Sequence, residues 1–173
     1  PRWISGHHFG REASLLTGDG PEAGVTVNTF SNEAAFGPAA IEIHSETDDG
    51  SGTHWKYMLF AHGDAAAYAG IDLSGYDALE FYARASEPVT LAGGFGSGDD
   101  SAHRGLPAMA LTTEYQKFVL PLEGLDMHDI NTLLWVYLHR GANAPDFDFS
   151  DVSVFLDNIR FVERDTFVTE NAL

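Results

Sequence analysis

The chain has 173 residues, 26 Asp and Glu against 9 Lys and Arg, no Cys and a formal net charge of −17; this length favours one domain, since a single hydrophobic core serves roughly 100–200 residues. Hydrophobic residues at 44% and aromatics at 12% can fill a packed core and set the chain apart from disordered acidic segments. Few, scattered basic residues exclude the usual phosphate-backbone mode of nucleic-acid binding and disfavour an anionic membrane surface, and the absence of Cys excludes a disulfide scaffold, a Cys-bound zinc and a thiol nucleophile.

No apolar run approaches the roughly 18 residues of a spanning helix; the longest, such as 133–138, are strand-sized. The sequence opens at Pro1 with no initiator Met and no basic, apolar leader, so the expectation is a soluble mature product or excised module, with secretion permitted.

Apolar and polar residues alternate in segments of six to ten, broken by Gly, Pro, Asp, Asn and Ser, a pattern that predicts strands. In chain order these are 24–30, 39–46, 53–60, 78–85, 89–94, 106–112, 116–121, 133–140 and 152–162. Nine runs of this kind suit an all-β fold, a two-sheet antiparallel jelly-roll sandwich of the galactose-binding-like type. The Gly, Ser and Asp clusters at 45–52 (SETDDGSG), 93–104 (GGFGSGDDSAHR) and 142–150 (ANAPDFDFS) read as surface loops. No repeat or linker divides the chain, so 1–173 is one domain with its core at about 24–162; the ends, 1–5 and 165–173, read as frayed.

Alternation also assigns faces. Leu79, Phe81 and Ala83 point to the core, as do Leu134, Val136 and Leu138, which leaves Trp135, Tyr137 and His139 on the outside of their strand. Three ring-bearing side chains on one outer face are unusual, because such positions ordinarily carry Thr, Lys, Glu or Ser. Together with His54 or Trp55 and Tyr57 from the 53–60 strand they make a candidate aromatic platform. Ring faces suit sugars, whose axial C–H groups form an apolar patch while polar neighbours take the hydroxyls; the alternative is burial of these rings under a loop or a neighbouring domain.

Asp99, Asp100, His103 and Arg104 share a Gly-rich loop from which they could reach sugar hydroxyls, or could simply be solvated. Asp157 lies in an otherwise apolar strand and needs a partner. With Asp48 and Asp49 it would offer oxygen ligands suited to Ca²⁺; alternatively it accepts backbone hydrogen bonds. His44 and Glu42 share a strand face and could form half of an acid/base or metal site.

Several runs then fall in one order: VTVNT at 25–29, GP at 37–38, DGSGTHW at 49–55, DLSGYDALEF at 72–81, GDD at 98–100, YQKFVLPL at 115–122, INTLLWVY at 130–137 and VFLDNIRF at 154–161. This order resembles the β-jelly-roll carbohydrate-binding modules of bacterial glycanases, most closely the family 11 type attached to endoglucanases. The resemblance implies a non-catalytic, extracellular domain that binds β-glucan chains in an open groove and targets an attached glycanase. It also implies that Tyr137 stacks on sugar, that His54 or Trp55 provides the aromatic after the acidic turn, that Asp99 or Asp100 binds hydroxyls, and that Asp157 holds structural Ca²⁺. The sequence departs from the family's opening Asp-Phe-Glu-Gly turn, with His8-Phe9-Gly10 in its place. The competing reading is a β-sandwich glycoside hydrolase or lyase, which would need two carboxylates about 5–9 Å apart across the groove; Glu42 and Glu80 are the outward strand glutamates available. A third is an adhesion domain whose aromatic face meets another protein.

Overall fold

The computed structural model describes residues 2–3, 13–16, 25–37, 39–47, 53–60, 70–96, 104–105, 108–144 and 146–163; side chains at 2–3, 13–16, 29–30, 53–54, 56–60, 104–105 and 139–140 lie outside that description. Its strands are β1 (Arg2–Trp3), β2 (Ala13–Leu16), β3 (Val25–Ser31), β4 (Ala40–Ser45), β5 (Thr53–Phe60), β6 (Ala78–Ala85), β7 (Val89–Gly96), β8 (Arg104–Gly105), β9 (Met109–Leu111), β10 (Gln116–Pro121), β11 (Thr132–His139) and β12 (Val152–Val162), with a 3-10 turn at Arg140–Ala142. Among the described residues there is no α-helix, and hence none long and apolar enough to cross a membrane.

The strands form two antiparallel sheets. Sheet I runs β10-β6-β12-β4-β3 with β1 also on β12, and sheet II runs β2-β5-β11-β7-β8 with β9 also on β7. The all-β two-sheet expectation therefore holds. Between the sheets the inner residues interdigitate: Ile43, Leu79, Phe81, Leu156 and Phe161 from sheet I meet Trp55, Leu91, Phe95, Leu134, Val136 and Leu138 from sheet II, all within 1% of fully buried. Each such side chain contributes roughly 1.5–3 kcal/mol through apolar burial.

Three boundaries differ from the expectation. Residues 93–96 belong to β7 rather than to a loop, because Phe95 is a core residue at 1% exposure and Gly93, Gly94 and Gly96 pair with β11. The 106–112 strand is confined to Met109–Leu111, with residues 106 and 107 outside the described set. Arg2 and Trp3 do not fray: they pair with Phe161 and Arg160.

The central strand of sheet I shows why the LDNI run exists. Val152, Val154 and Leu156 face the core, whereas further on Ile159 and Phe161 do; the parity switches at a bulge between Asp157 and Arg160 in the pairing with β6. Asn158 takes φ 51° there, a left-handed conformation that Asn tolerates better than most residues. One extra residue thus keeps both halves of an eleven-residue strand facing inward.

Candidate functional site

On β11 the inner residues Leu134, Val136 and Leu138 are fully buried, and the alternate residues Trp135 and Tyr137 are half-buried on the outer face of sheet II. Their rings stack with centroids 5.4 Å apart and planes 15° from parallel. The pair is thus a stack rather than a flat tile, each ring partly covering the other. Register places Trp135 between Met58 of β5 and Gly94 of β7, and Tyr137 between Lys56 and Ala92; Gly105 of β8 follows Gly94. On the β7 side, therefore, the rings border a strip whose residues have no side chain or a single methyl. Ala92 is partly exposed and Gly94 buried in this strip, and ring faces such as these suit the C–H flank of an extended sugar chain.

The other expected site residues fare differently. Trp55 is not part of the platform: it is 0% exposed, it pairs with the inward Leu138, and its indole N–H donates to Ser45 Oγ at 3.1 Å. The 53–60 segment, THWKYMLF, has no clean alternation, so its faces were ambiguous until register fixed them. Tyr57 pairs with the inward Val136, while Lys56 and Met58 hold the positions beside the rings. The pairing shifts between Leu138 and His139, which pairs with Thr53. His54, Tyr57, His139 and Arg104 have described backbone only, Arg104 pairing with Phe95. Asp48, Asp49, Asp99, Asp100 and His103 lie outside the described residues.

The outer face of sheet I is built otherwise. Glu80, 2% exposed, accepts from Arg160 Nε at 3.0 Å and Nη2 at 2.9 Å, and from Lys117 Nζ at 2.8 Å. Residues 31–37 lie against this face: Arg84 donates to Glu33 at 2.6 Å, Tyr115 donates its hydroxyl to the Glu33 carbonyl, and the Phe36 ring meets Tyr82 edge-on at 4.7 Å. The Arg84 guanidinium also lies 3.9 Å from the Phe155 ring centroid. Burial pushes the Tyr115 hydroxyl up to about 12.

Asp157, 3% exposed, accepts the Phe36 amide at 2.8 Å and the Asn158 amide at 2.6 Å. Both oxygens serve to hold the 31–37 segment and the bulge, and no group of three or more His, Asp or Glu among the described residues is placed to hold a metal ion. Glu42 likewise serves the fold, accepting from Ser153 Oγ at 3.3 Å, while His44 Nδ1 lies 2.9 Å from the same hydroxyl. Glu42 and Glu80 both belong to sheet I, the sheet opposite the ring stack, so they do not flank it.

No family model matches this chain, and no curated protein does. Solved structures do. A family 11 carbohydrate-binding module from Clostridium thermocellum, in complex with a β-1,3-1,4-mixed-linked tetrasaccharide, superposes with a TM-score of 0.62 at 9% identity, over 94% of this chain and 95% of that one. The family 30 module of a cellulosomal cellulase of the same organism gives 0.55 at 18% identity, over 95% and 91%. A third module, TmCBM61 with β-1,4-galactotriose, gives 0.56 at 11%, over 88% of each chain. The chain has the β-sandwich fold of carbohydrate-binding modules.

Proposed function

We propose that this chain is a non-catalytic carbohydrate-binding module whose sheet II outer face takes the flank of a glucan-type polysaccharide. The observation that supports it is the stacked Trp135–Tyr137 pair, half-buried on a strand face beside Ala92 and Gly94. Stacking and hydroxyl recognition require no shifted pKa and no nucleophile, so binding alone is the activity. The similar family 11 module holds a mixed-linked glucan tetrasaccharide, and the similar family 30 module belongs to a cellulase; by extension the chain is a secreted targeting domain for a glycanase, raising the local concentration of the attached catalytic domain at its substrate.

The hydrolase reading loses its candidate acids. Glu80 is buried between two cations and Glu42 is engaged with Ser153, and neither lies beside the ring stack.

A structural Ca²⁺ is a separate proposal that rests on Asp48 and Asp49. It predicts a melting temperature that rises with Ca²⁺ and falls with EDTA; identical melting in both removes it.

Affinity electrophoresis tests the main reading, in gels containing barley β-glucan, xyloglucan, xylan, glucomannan or no glycan, with product analysis of the same mixtures. Retardation by a β-glucan without new reducing ends is expected. Free migration in every gel rejects carbohydrate binding, and release of reducing ends restores the hydrolase reading.

A further inference from the structure

Where β6 begins and β10 ends, residues between 74 and 78 and between 119 and 127 line a half-open pocket of about 530 Å³ that shares no lining residue with β11. This lies within the range of small-ligand sites, roughly 300–1,000 Å³. Leu122, Leu125 and Met127 supply apolar wall and Tyr76 supplies a ring. Ser74, Asp77 and Glu123 bring oxygen groups, and among the described lining residues none is basic. Val119, also lining it, is 41% exposed, one of two large hydrophobics so exposed among the described residues.

The 70–77 and 122–130 loops are tied to each other before any ligand arrives. Leu73 N donates to the Met127 carbonyl at 2.7 Å, Leu122 N to that of Asp77 at 2.9 Å, and Ile71 and Ile130 exchange bonds of 3.0 and 3.1 Å. Asp77 N reaches β12 through the Val162 carbonyl at 2.9 Å, and the Tyr76 ring is braced by Phe161 with centroids 6.0 Å apart. Gly70 sits so close to the second loop that a Cβ there would fall 2.4 Å from the Asp129 backbone carbon. A pocket already ordered in this way gives up little conformational entropy on binding.

We propose that this cavity is a second carbohydrate site, one that takes the end of a neutral sugar chain, one or two pyranose residues. The inference rests on the reading of the domain as a carbohydrate-binding module, and it concerns different residues. Carboxylates and a serine hydroxyl oxygen meet sugar hydroxyls as acceptors, the apolar wall meets pyranose C–H groups, and the net charge of −17 turns away uronic acids. A pocket walled by two loops receives a chain end, whereas the open sheet face receives a chain flank. Two such sites on one domain would let it grip a polysaccharide both along its length and at a terminus, gaining avidity without new contacts at either site.

The experiment is an amide chemical-shift titration of the wild type, Tyr137→Ala, Glu123→Ala and Val119→Trp with cellobiose, β-1,4-galactobiose and, as a cation probe, tetramethylammonium. Saturating shifts of the Tyr76, Gly124 and Leu125 amides are expected with one of the disaccharides. Their midpoint should stay unchanged in Tyr137→Ala and rise at least tenfold in Glu123→Ala and in Val119→Trp, whose indole would fill the mouth. Shifts confined to β7 and β11 overturn this proposal and leave the sheet face standing; loop shifts without β11 shifts do the reverse. Loop shifts with tetramethylammonium but neither sugar make the cavity a cation site and overturn the sugar assignment. No loop shifts with either sugar overturn this proposal, and the sheet face is then decided by the polysaccharide gels.

Discussion

On the outer face of sheet I, Glu80 lies between Arg160 and Lys117, Arg84 between Glu33 and the Phe155 ring, and Asp157 beneath two amides. On the outer face of sheet II, Trp135 and Tyr137 stack beside Ala92 and Gly94, residues with little or no side chain of their own. Both faces hold aromatic residues, yet only the first is crossed by a segment of the described chain, residues 31–37, which turn out of β3 and end with Gly37 at φ 72°. The comparison teaches that residue type alone does not mark a binding face. A carboxylate or ring locked beneath a segment of its own chain maintains the fold, and a ring stack on a strand face that no described segment crosses can engage a ligand.

The largest effect that would sharpen this contrast is the loss of the Glu80 carboxylate. Glu80→Ala removes the buried carboxylate that Arg160 and Lys117 share, and breaking a buried ion pair costs about 3–5 kcal/mol; Lys117 retains 28% side-chain exposure, which places the expectation at the lower end. Denaturant unfolding measures it, and a loss under about 1 kcal/mol would mean that the triad is solvated. The folded fraction should still be retarded by β-glucan.

Asp157→Asn comes next, with an expected loss of about 1–3 kcal/mol from weakened charge-assisted bonds to the Phe36 and Asn158 amides. Melting in EDTA and in Ca²⁺ separates structural from metal roles. The account predicts the same loss in both; a loss seen only in Ca²⁺ would make Asp157 a metal ligand after all.

Removal of one ring from sheet II should act in the opposite sense, on binding rather than on stability. Tyr137→Ala is expected to lower β-glucan affinity at least tenfold, about 1.4 kcal/mol, with a much smaller change in the unfolding midpoint. Isothermal titration beside thermal melting reads both, and a protein that melts much lower while binding unchanged would place Tyr137 among the structural residues.

The smallest effects lie in pH. A hydrogen bond to Asp126 at 2.9 Å raises His128 above the ordinary imidazole value, helped by the charge of Asp72. A group raised in the folded state stabilises fully below its unfolded pKa, and that contribution is lost as pH rises through the raised value. Asp126 is lowered by its hydrogen bonds from the His128 side chain and amide, and Asp72 by those from Ser74. Their contributions are present above the ordinary carboxylate range and are lost as pH falls through the lowered values. Stability from this surface group is therefore flat between the ordinary carboxylate and imidazole ranges and declines on either side. An NMR titration should find the His128 midpoint above about 6.5; a lower one contradicts the hydrogen bond.

Much of the fold was legible because strand alternation and turn residues are local signals. The 78–85, 116–121 and 152–162 strands and the inward set Leu134, Val136 and Leu138 follow from it directly. What escaped depends on partners far along the chain. Trp55 looked as suitable for the platform as any neighbour, and only its pairing with Leu138, 83 positions away, turns it inward. The strip at Ala92 and Gly94 was hidden because glycine-rich sequence reads as loop, although Phe95 between glycines was a usable sign of a buried strand. Asp157 stood out correctly as a buried carboxylate, but its partner Phe36 lies 121 residues away, and the bulge at Asn158 has no period to betray it.

The central claim is that sugar engages sheet II and not sheet I, and a paired ring deletion tests it most directly. The retardation of Trp135→Ala and of Phe36→Ala would be measured in barley β-glucan gels against the wild type, Phe36 being, among the described residues, the most exposed large hydrophobic on the opposite face at 53%. The account predicts that Trp135→Ala migrates as in a glycan-free gel while Phe36→Ala is held back like the wild type. Retardation kept by folded Trp135→Ala and lost by folded Phe36→Ala would contradict it and move the binding face to sheet I.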